Sequence, residues 1–399
     1  MKALPLDPKI TSVIPAIRAL LTQSGLSPVI KCNYSDQIAA IGKSKKKFED
    51  ILNGIDGLYI NESIPEKIIG AFNNRHSESN FTSGIICIKD LCLAGIGFSA
   101  EEVSHYLGEF LKGSTLSIPN ENIKNGRVQN MVFIVTGGAL GFGRGIVEEM
   151  VDEGGYVVIA DNNREEGLKT ESEINARAGK KRALFVECDV TNPGSVTNLV
   201  FETVKEFGGL DVLVSNAGVL KAGGLEEMDE KSFSFVTDVN YKGFFICTKY
   251  CTPVMKLQHQ YNTSMYMDII QVNSKSGLAG SNRNFAYAGS KFGSIGLVQS
   301  FALELVPYHI KVNAVCPGNY FEGPLWSDPK DGLFAQYLNT GKVPGAKNIS
   351  DVKKFYESKV PMGRGCTPKD IVKTIFYLID QEYETGQAIP VTGGQIMLN

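Results

Sequence analysis

The stretch Val132-Phe133-Ile134-Val135-Thr136-Gly137-Gly138-Ala139-Leu140-Gly141-Phe142-Gly143 decides how this chain is read. Four apolar residues run into a glycine turn, Ile146-Val147-Glu148-Glu149-Met150 continues with helical spacing, and an apolar run from Tyr156 to Ala160 closes on Asp161. Strand, glycine turn, helix, strand and acid, in that order, make a dinucleotide-binding βαβ unit. Bare glycines let the backbone turn sharply and let a pyrophosphate approach the open amides of the following helix N-terminus. A carboxylate at the tip of the second strand can accept from both hydroxyls of a cofactor ribose and repels a 2′-phosphate, so NAD is expected over NADP. The spacing Gly137-x-x-x-Gly141-x-Gly143 differs from G-x-G-x-x-G, and a glycine turn alone serves structure as readily as binding. Its meaning rests on the residues downstream.

Past the turn the pattern is regular: strand 132–135, helix 143–153, strand 156–160, helix 164–178, strand 183–187, helix 193–207 and strand 211–214. Helix 230–256, strand 266–272, helix 285–306, strand 310–315, helix 368–379 and a last short strand complete it. Strands alternating with helices predict an α/β fold, a Rossmann-type doubly wound parallel sheet.

Residues 1–125 have a different texture and are expected to form a smaller α/β or α+β domain, with 126–399 as the nucleotide-binding domain. Ile10 to Leu21 has helical apolar spacing that Pro15 would break or kink. Ala39-Ala40-Ile41-Gly42-Lys43-Ser44 and Ala94-Gly95-Ile96-Gly97-Phe98-Ser99 each read as an apolar strand ending at Gly-x-Ser before a helix, a weak internal repeat. Ser99 with Glu102 makes a capping box. The polar stretch 113–130 reads as an interdomain linker.

With 399 residues, about two domains are expected. Apolar content of 43% and charged content of 21% suit a soluble globular chain, and a net charge of −3 with no basic stripe argues against nucleic-acid binding. The 8 cysteines are scattered with no C-x-x-C pair, as in a reduced cytoplasmic protein. No apolar run near the N-terminus is long enough for a signal peptide or membrane span. Only 4 histidines occur (His76, His105, His259, His309), none spaced as metal ligands, so no metal is expected.

Behind the glycine turn stand, in order, Asp189-Val190, Asn216-Ala217-Gly218, Asn240, Ser274, Tyr287-x-x-x-Lys291 and Pro317-Gly318. On these elements residues 130–399 resemble the short-chain dehydrogenase/reductase family. Tyr287 and Lys291, four apart, share one helix face. A phenol near pKa ~10 is a poor base at neutral pH and needs a neighbouring cation, which Lys291 supplies. The resemblance implies that Tyr287 exchanges a proton with the substrate oxygen, that Lys291 also holds the nicotinamide ribose, and that Ser274, thirteen residues before Tyr287, hydrogen-bonds the reacting oxygen. Ser276 is an outside candidate for that last role. It also implies that Asn240 binds a water relaying protons to the lysine. For the cofactor it places Gly137, Gly141, Phe142 and Gly143 around the pyrophosphate, Asp161 at the adenosine ribose and Asp189 and Val190 at the adenine. Asn216, Ala217 and Gly218 then form the ribose wall, and Pro317 and Gly318 the nicotinamide side. The threonine usual after Gly318 is replaced by Asn319-Tyr320-Phe321, a departure from the family pattern.

Stretches 269–277, 317–319, 359–366 and 385–395 resemble more specifically the sorbitol-6-phosphate 2-dehydrogenases within that family. This implies NAD-dependent interconversion of sorbitol 6-phosphate and fructose 6-phosphate, a small sugar-phosphate substrate, while the wider family resemblance implies a homodimer or homotetramer. A phosphate needs cationic or N–H partners, for which Lys275 and Arg283 are the candidates, while Asn319 and Glu322 are candidates for polyol hydroxyls. The N-terminal domain resembles the tail of an aldolase-like half fused to such dehydrogenases in some bacterial sugar enzymes, but lacks clustered histidines. It is expected to help assembly or border the active site, without aldolase activity. Two other readings stay open: a reductase for a 3-oxoacyl group or different ketose, and a non-catalytic NAD-binding assembly protein.

Overall fold

The computed structural model describes residues 7–23, 26–52, 56–79, 81, 83–112, 126–330, 332–339 and 341–397. The expected linker falls mostly outside the described residues. Eleven strands are seen among them: β1 (Val29–Asn33), β2 (Gly57–Ile60), β3 (Gly84–Ile88), β4 (Cys92–Gly97), β5 (Val132–Thr136), β6 (Tyr156–Asp161), β7 (Ala183–Glu187), β8 (Val212–Ser215), β9 (Met267–Val272), β10 (Ile310–Pro317) and β11 (Ala388–Val391). The last seven form one sheet in the order β11-β10-β9-β8-β5-β6-β7, parallel throughout. β5 is buried along its whole length, as expected of a central strand with helices on both faces. This is the predicted Rossmann-type sheet.

β1 to β4 make a second, mixed sheet, β1-β4-β3-β2, with β2 and β3 parallel and the other pairs antiparallel. Its helices and the main sheet share one apolar core, in which Ile14, Ile17, Phe48 and Phe110 join Tyr156, Phe207 and Leu213. The contacts lie at the N-terminal edge of the parallel sheet. Arg18 bonds Asp211 and the Asn130 carbonyl, the Ala100 amide donates to Tyr156 Oη, Glu101 accepts from the Lys181 amide, and Asn262 Nδ2 donates to the Ala19 carbonyl. All these partners precede strands or end helices at that edge, whereas the cofactor turn lies at the other. Among the described residues the N-terminal unit therefore does not border the active-site end of the sheet.

Local chemistry corrects several sequence readings. Residues 39–42 belong to a helix, Asp36–Gly42, whose entry is fixed by the Ile38 amide donating to Ser35 Oγ, so only the second Gly-x-Ser segment follows a strand and the internal repeat fails. Pro15 sits in the first turn of the helix Ile14–Leu21, where its missing N–H costs nothing. Ser99 Oγ does accept from the Glu102 amide, but the Glu102 carboxylate reaches back to the Phe98 amide. The long helix expected over 230–256 is Glu230–Thr237, a π-turn at Asp238–Lys242 and Gly243–Tyr261. Three short helices, Pro324–Ser327, Leu333–Asn339 and Ile349–Ser358, form an unforeseen cap between β10 and the helix Pro368–Asp380.

Candidate active site

Beyond the C-terminal ends of the parallel strands, at the point where the strand order reverses around β5 and β8, lies a cleft of about 720 Å³. One end is the glycine turn. Gly137 and Gly141 take φ of 62° and 59°, left-handed values that favour glycine. A Cβ on Gly143 would overlap the Gly137 carbonyl oxygen and Asn216 Nδ2, so that position must stay bare. Thr136 Oγ1 accepts from the Asn216 and Ala217 amides, both at 3.0 Å, and Asn216 Nδ2 donates to the Thr136 and Gly137 carbonyls at 2.9 and 3.0 Å. Asn216 thus pins the turn to the end of β8.

The helix Gly141–Asp152 starts at Leu140 without a side-chain cap, which leaves its first amides open toward the cleft, as a pyrophosphate requires. The Asp161 carboxylate is held at the tip of β6 by the Ala139 amide at 3.1 Å and the Asn163 amide at 3.0 Å. Asp189 Oδ1 accepts from the Thr191 amide and hydroxyl. Gly137, Gly141, Phe142, Asp161, Asp189, Val190, Asn216, Ala217, Gly218, Pro317 and Gly318 all line the cleft, while Gly143 lies behind it. These features fit a nicotinamide dinucleotide. Phe142 and Tyr320, which both line the cleft, stack with ring centroids 4.8 Å apart.

Midway along the cleft stand Ser274, Tyr287 and Lys291. Ser274 lies two residues past β9 and caps a 3-10 turn, its Oγ accepting from the Ser276 amide at 3.1 Å, which leaves the hydroxyl proton to donate. Ser276, the outside candidate, is used here through its backbone. Tyr287 and Lys291 lie one turn apart on the helix Phe285–Leu305. Lys291 is almost fully buried, donates from Nζ to the Val272 carbonyl at 2.9 Å, and sits 5.7 Å from the Tyr287 ring centroid. Burial pulls the Lys291 ammonium down to about 8. Burial also pushes the Tyr287 phenol up, against the opposing pull of Ser274. Burial is the larger of these two effects on the phenol. Asn273, which no sequence pattern flagged, ties β9 to this helix: its Nδ2 donates to the Lys291 carbonyl at 3.0 Å.

Asn240 lies at the middle of the π-turn and does not line the cleft. Its Oδ1 accepts from the Val219 amide at 2.8 Å, and its Nδ2 donates to the Val219 carbonyl and to Ser290 Oγ. Both amide protons are spent on protein, so its side chain positions the loop after Gly218.

At the far end Lys275 and Asn319 line the cleft, but Arg283 and Glu322 do not. Arg283 pairs with Glu227, and Glu322 with Lys353 at 3.1 Å. Each charge is neutralised outside the cleft by a nearby surface partner. Residues missed by sequence reasoning take their place: Trp326, Leu333, Tyr337, Lys342 and Tyr356, all from the cap. The aromatic density of 321–356 was the available signal.

The sequence pattern described as short chain dehydrogenase matches residues 131–325. Sorbitol-6-phosphate 2-dehydrogenase of Escherichia coli (strain K12) is 33% identical over 271 residues, covering 67% of this chain and 99% of that protein. The chain belongs to the short-chain dehydrogenase family. As a member it is an oxidoreductase of a family that binds nicotinamide cofactors. The crystal structure of sorbitol-6-phosphate 2-dehydrogenase from Erwinia amylovora superposes with a TM-score of 0.61 at 32% identity, covering 67% of this chain and all (100%) of that one. That of 3-ketoacyl-(acyl-carrier-protein) reductase from Brucella melitensis, complexed with NADH, gives 0.57 at 25% identity, covering 67% and 98%. Among the described residues no helix is long and apolar enough to cross a membrane, and no three His, Cys, Asp or Glu side chains could together hold a metal.

Proposed function

We propose that this short-chain dehydrogenase interconverts a sugar-alcohol phosphate and a ketose phosphate with NAD, with sorbitol 6-phosphate and fructose 6-phosphate as the first pair to test. The observation that carries the substrate class is the cleft itself. Beyond Ser274 and Tyr287 it continues into a chamber with polar and cationic side chains, Asn319, Lys275 and Lys342, in place of a wholly apolar wall. The preference for NAD is supported by Asp161. Its carboxylate is fixed where an adenosine ribose would lie, and the lysines lining the cleft (Lys275, Lys291 and Lys342) belong to its middle and far end.

The bound nicotinamide supplies the hydride acceptor or donor. Gly137, Gly141 and the open amides of the following helix hold the pyrophosphate, and Asp161 the ribose. Ser274 Oγ donates a hydrogen bond to the reacting oxygen, and the Tyr287 phenol gives that oxygen its proton in reduction or takes it in oxidation. Lys291, held by the Val272 carbonyl, keeps a proton on Nζ beside the tyrosine ring.

Residues 1–125 are proposed as an accessory unit that seals the N-terminal edge of the sheet, and 126–399 as the catalytic domain of a cytoplasmic homodimer or homotetramer. Absorbance of the reduced cofactor, followed with sorbitol 6-phosphate, mannitol 6-phosphate, free sorbitol and a simple secondary alcohol, tests the reaction. Turnover confined to polyol phosphates with NAD, and lowered about 10²- to 10⁴-fold by Tyr287→Phe, is expected. Equal turnover of the simple alcohol, or preference for a 3-oxoacyl thioester in reverse, would sink the substrate assignment.

A further inference from the structure

The cap over the far end of the cleft has its own small core, in which Phe321, Trp326, Phe334, Val343, Val352 and Val360 pack together. This core presents an aromatic wall to the cleft. The Tyr337 and Tyr356 rings lie 5.4 Å apart, and Trp326 packs edge-on against both at 5.9 and 5.1 Å. Two lysines lean on the same wall. Lys342 Nζ is 3.9 Å from the Tyr337 ring centroid, and Lys359 Nζ is 4.1 Å from that of Phe355 and 5.7 Å from that of Tyr356. Lys275, the residue next to Ser274, lines the same cleft.

We infer that Lys275, Lys342 and, at the rim, Lys359 form a phosphate-binding corner, so that the cap takes part in selecting the phosphorylated substrate. The inference rests on the polyol-phosphate reading above. Among the described residues none of these three lysines has a carboxylate within ion-pair distance, although the neighbouring cations do: Arg283 is spent on Glu227 and Lys353 on Glu322 and Glu357. The two lysines that line the cleft also feel Lys359: after burial itself, the charge of Lys359 pulls the Lys275 ammonium down, and the charges of Arg283 and Lys359 do the same to Lys342. Three like charges converging without a counter-ion repel one another, and a bound phosphate dianion turns that repulsion into charge-assisted hydrogen bonds. On this inference the reacting carbon lies at Ser274 and Tyr287 and the phosphate at the far end of the same cleft, which Lys275 and Lys342 line. A cation held against tyrosine faces is also partly pre-ordered, which lowers the entropy cost of gripping an anion.

Trp326 is the single tryptophan of the chain and lines this end of the cleft, so its fluorescence reports on the corner without a label. Inorganic phosphate, sorbitol 6-phosphate and free sorbitol are titrated separately into the full-length protein and into Lys275→Gln, Lys342→Gln and Lys359→Gln, with thermal melting to check that each variant folds. The expected result is a saturable change with the two phosphate-bearing ligands and none with free sorbitol at the same concentrations. Lys275→Gln and Lys342→Gln should weaken it roughly tenfold to hundredfold, and Lys359→Gln less. Sorbitol 6-phosphate binding with the same midpoint in all three folded variants, or free sorbitol binding equally well, overturns the corner. The reaction itself is read apart from this by cofactor reduction. Phosphate binding that follows the lysines while no polyol phosphate is oxidised leaves the corner standing and removes the proposed reaction. Oxidation of sorbitol 6-phosphate that is untouched by the substitutions does the reverse.

Discussion

Arg18→Met tests what joins the N-terminal unit to the dehydrogenase fold. The Arg18 guanidinium is fully buried and makes a two-pronged bond to Asp211, 2.8 Å to Oδ1 and 2.7 Å to Oδ2. It also donates to the carbonyls of Pro28 at 3.1 Å and Asn130 at 3.2 Å. Asp211 is buried as well, and its Oδ2 accepts from the Val132 amide at 2.7 Å at the start of β5. Methionine fills most of the volume but leaves one carboxylate charge and two carbonyls buried without their donor. Breaking a buried pair from one side costs ~3–5 kcal/mol, far above the ~0–1 kcal/mol of a surface pair. Urea unfolding measures the loss. The double variant Arg18→Met with Asp211→Asn keeps an acceptor for Val132 and removes the stranded charge, so it should recover most of it. Because the pair lies at the edge of the sheet opposite the cleft, kcat/KM of the folded fraction should hold. A loss below about 1 kcal/mol for the single variant, or no recovery in the double, would refute the argument that this ion pair is dry and interlocked.

The buried Lys291 gives a prediction of opposite sign. Its folded pKa is depressed from 10.5 to about 8, so its charge destabilises the fold below pH 8 and that penalty fades as pH rises toward 10.5. Lys291→Met should therefore raise stability at neutral pH by up to ~3 kcal/mol while abolishing turnover; unchanged or lower stability in urea would contradict it. In the wild type, kcat/KM for carbonyl reduction should fall with an apparent pKa near 8 as this lysine loses its proton, and a flat profile to pH 9 would count against the assignment. Asp161→Ser removes the carboxylate that the Ala139 and Asn163 amides hold in place, and should shift the NAD:NADP ratio of kcat/KM toward NADP by roughly tenfold or more; a ratio that does not move would place the ribose elsewhere. Gly143→Ala puts a methyl group against the Gly137 carbonyl and Asn216, so the turn must shift, with ~1–3 kcal/mol lost in urea unfolding and weaker cofactor binding by titration.

Much of this molecule was legible because its local signals agree. The helix Arg164–Ala178 starts at Asn163, whose side chain accepts from the Glu166 amide, and ends on left-handed Gly179; Pro193–Phe207 is framed in the same way by Asn192 and Gly208. Such caps are written in residue types. The π-turn at Asp238–Lys242 was not, because one slipped hydrogen bond barely disturbs the apolar spacing on either side. Residues 39–42 form an apolar run too short for periodicity to separate strand from helix, and the deciding contact, Ser35 with the Ile38 amide, lies outside the run. Ser274, Tyr287 and Lys291 could be named from the family pattern they match, and they do share one cleft. Arg283 was misplaced because a loop charge four residues before Tyr287 says nothing about its partner, and Glu227 comes from a loop far back in the chain. Arg18 could have been noticed: a lone charge inside Ile14–Leu21 must either reach water or find an acid.

The two additions to the dinucleotide-binding framework act at opposite edges of one sheet, and this separates what each can do. The N-terminal unit meets the starts of β5, β6 and β8 and the last turn of the helix Gly243–Tyr261, where Asn262 binds back to Ala19 and Thr22. It can alter stability, but among the described residues it lines no part of the cleft that holds Ser274 and Tyr287. It also leaves uncovered the exposed Phe233, Phe245, Phe292 and Leu303 on the helices Glu230–Thr237, Gly243–Tyr261 and Phe285–Leu305. Apolar side chains on consecutive long helices are what a self-complementary interface uses, so the proposed homodimer or homotetramer keeps an open face despite the extra unit. The cap, by contrast, is threaded between β10 and the helix Pro368–Asp380 and stands over the C-terminal edge, where Trp326 and Lys342 reach the cleft directly. The proposed choice of a phosphorylated substrate therefore rests on Lys275 and the segment 321–360, and exchange of that segment, not removal of the N-terminal unit, is predicted to change the substrate.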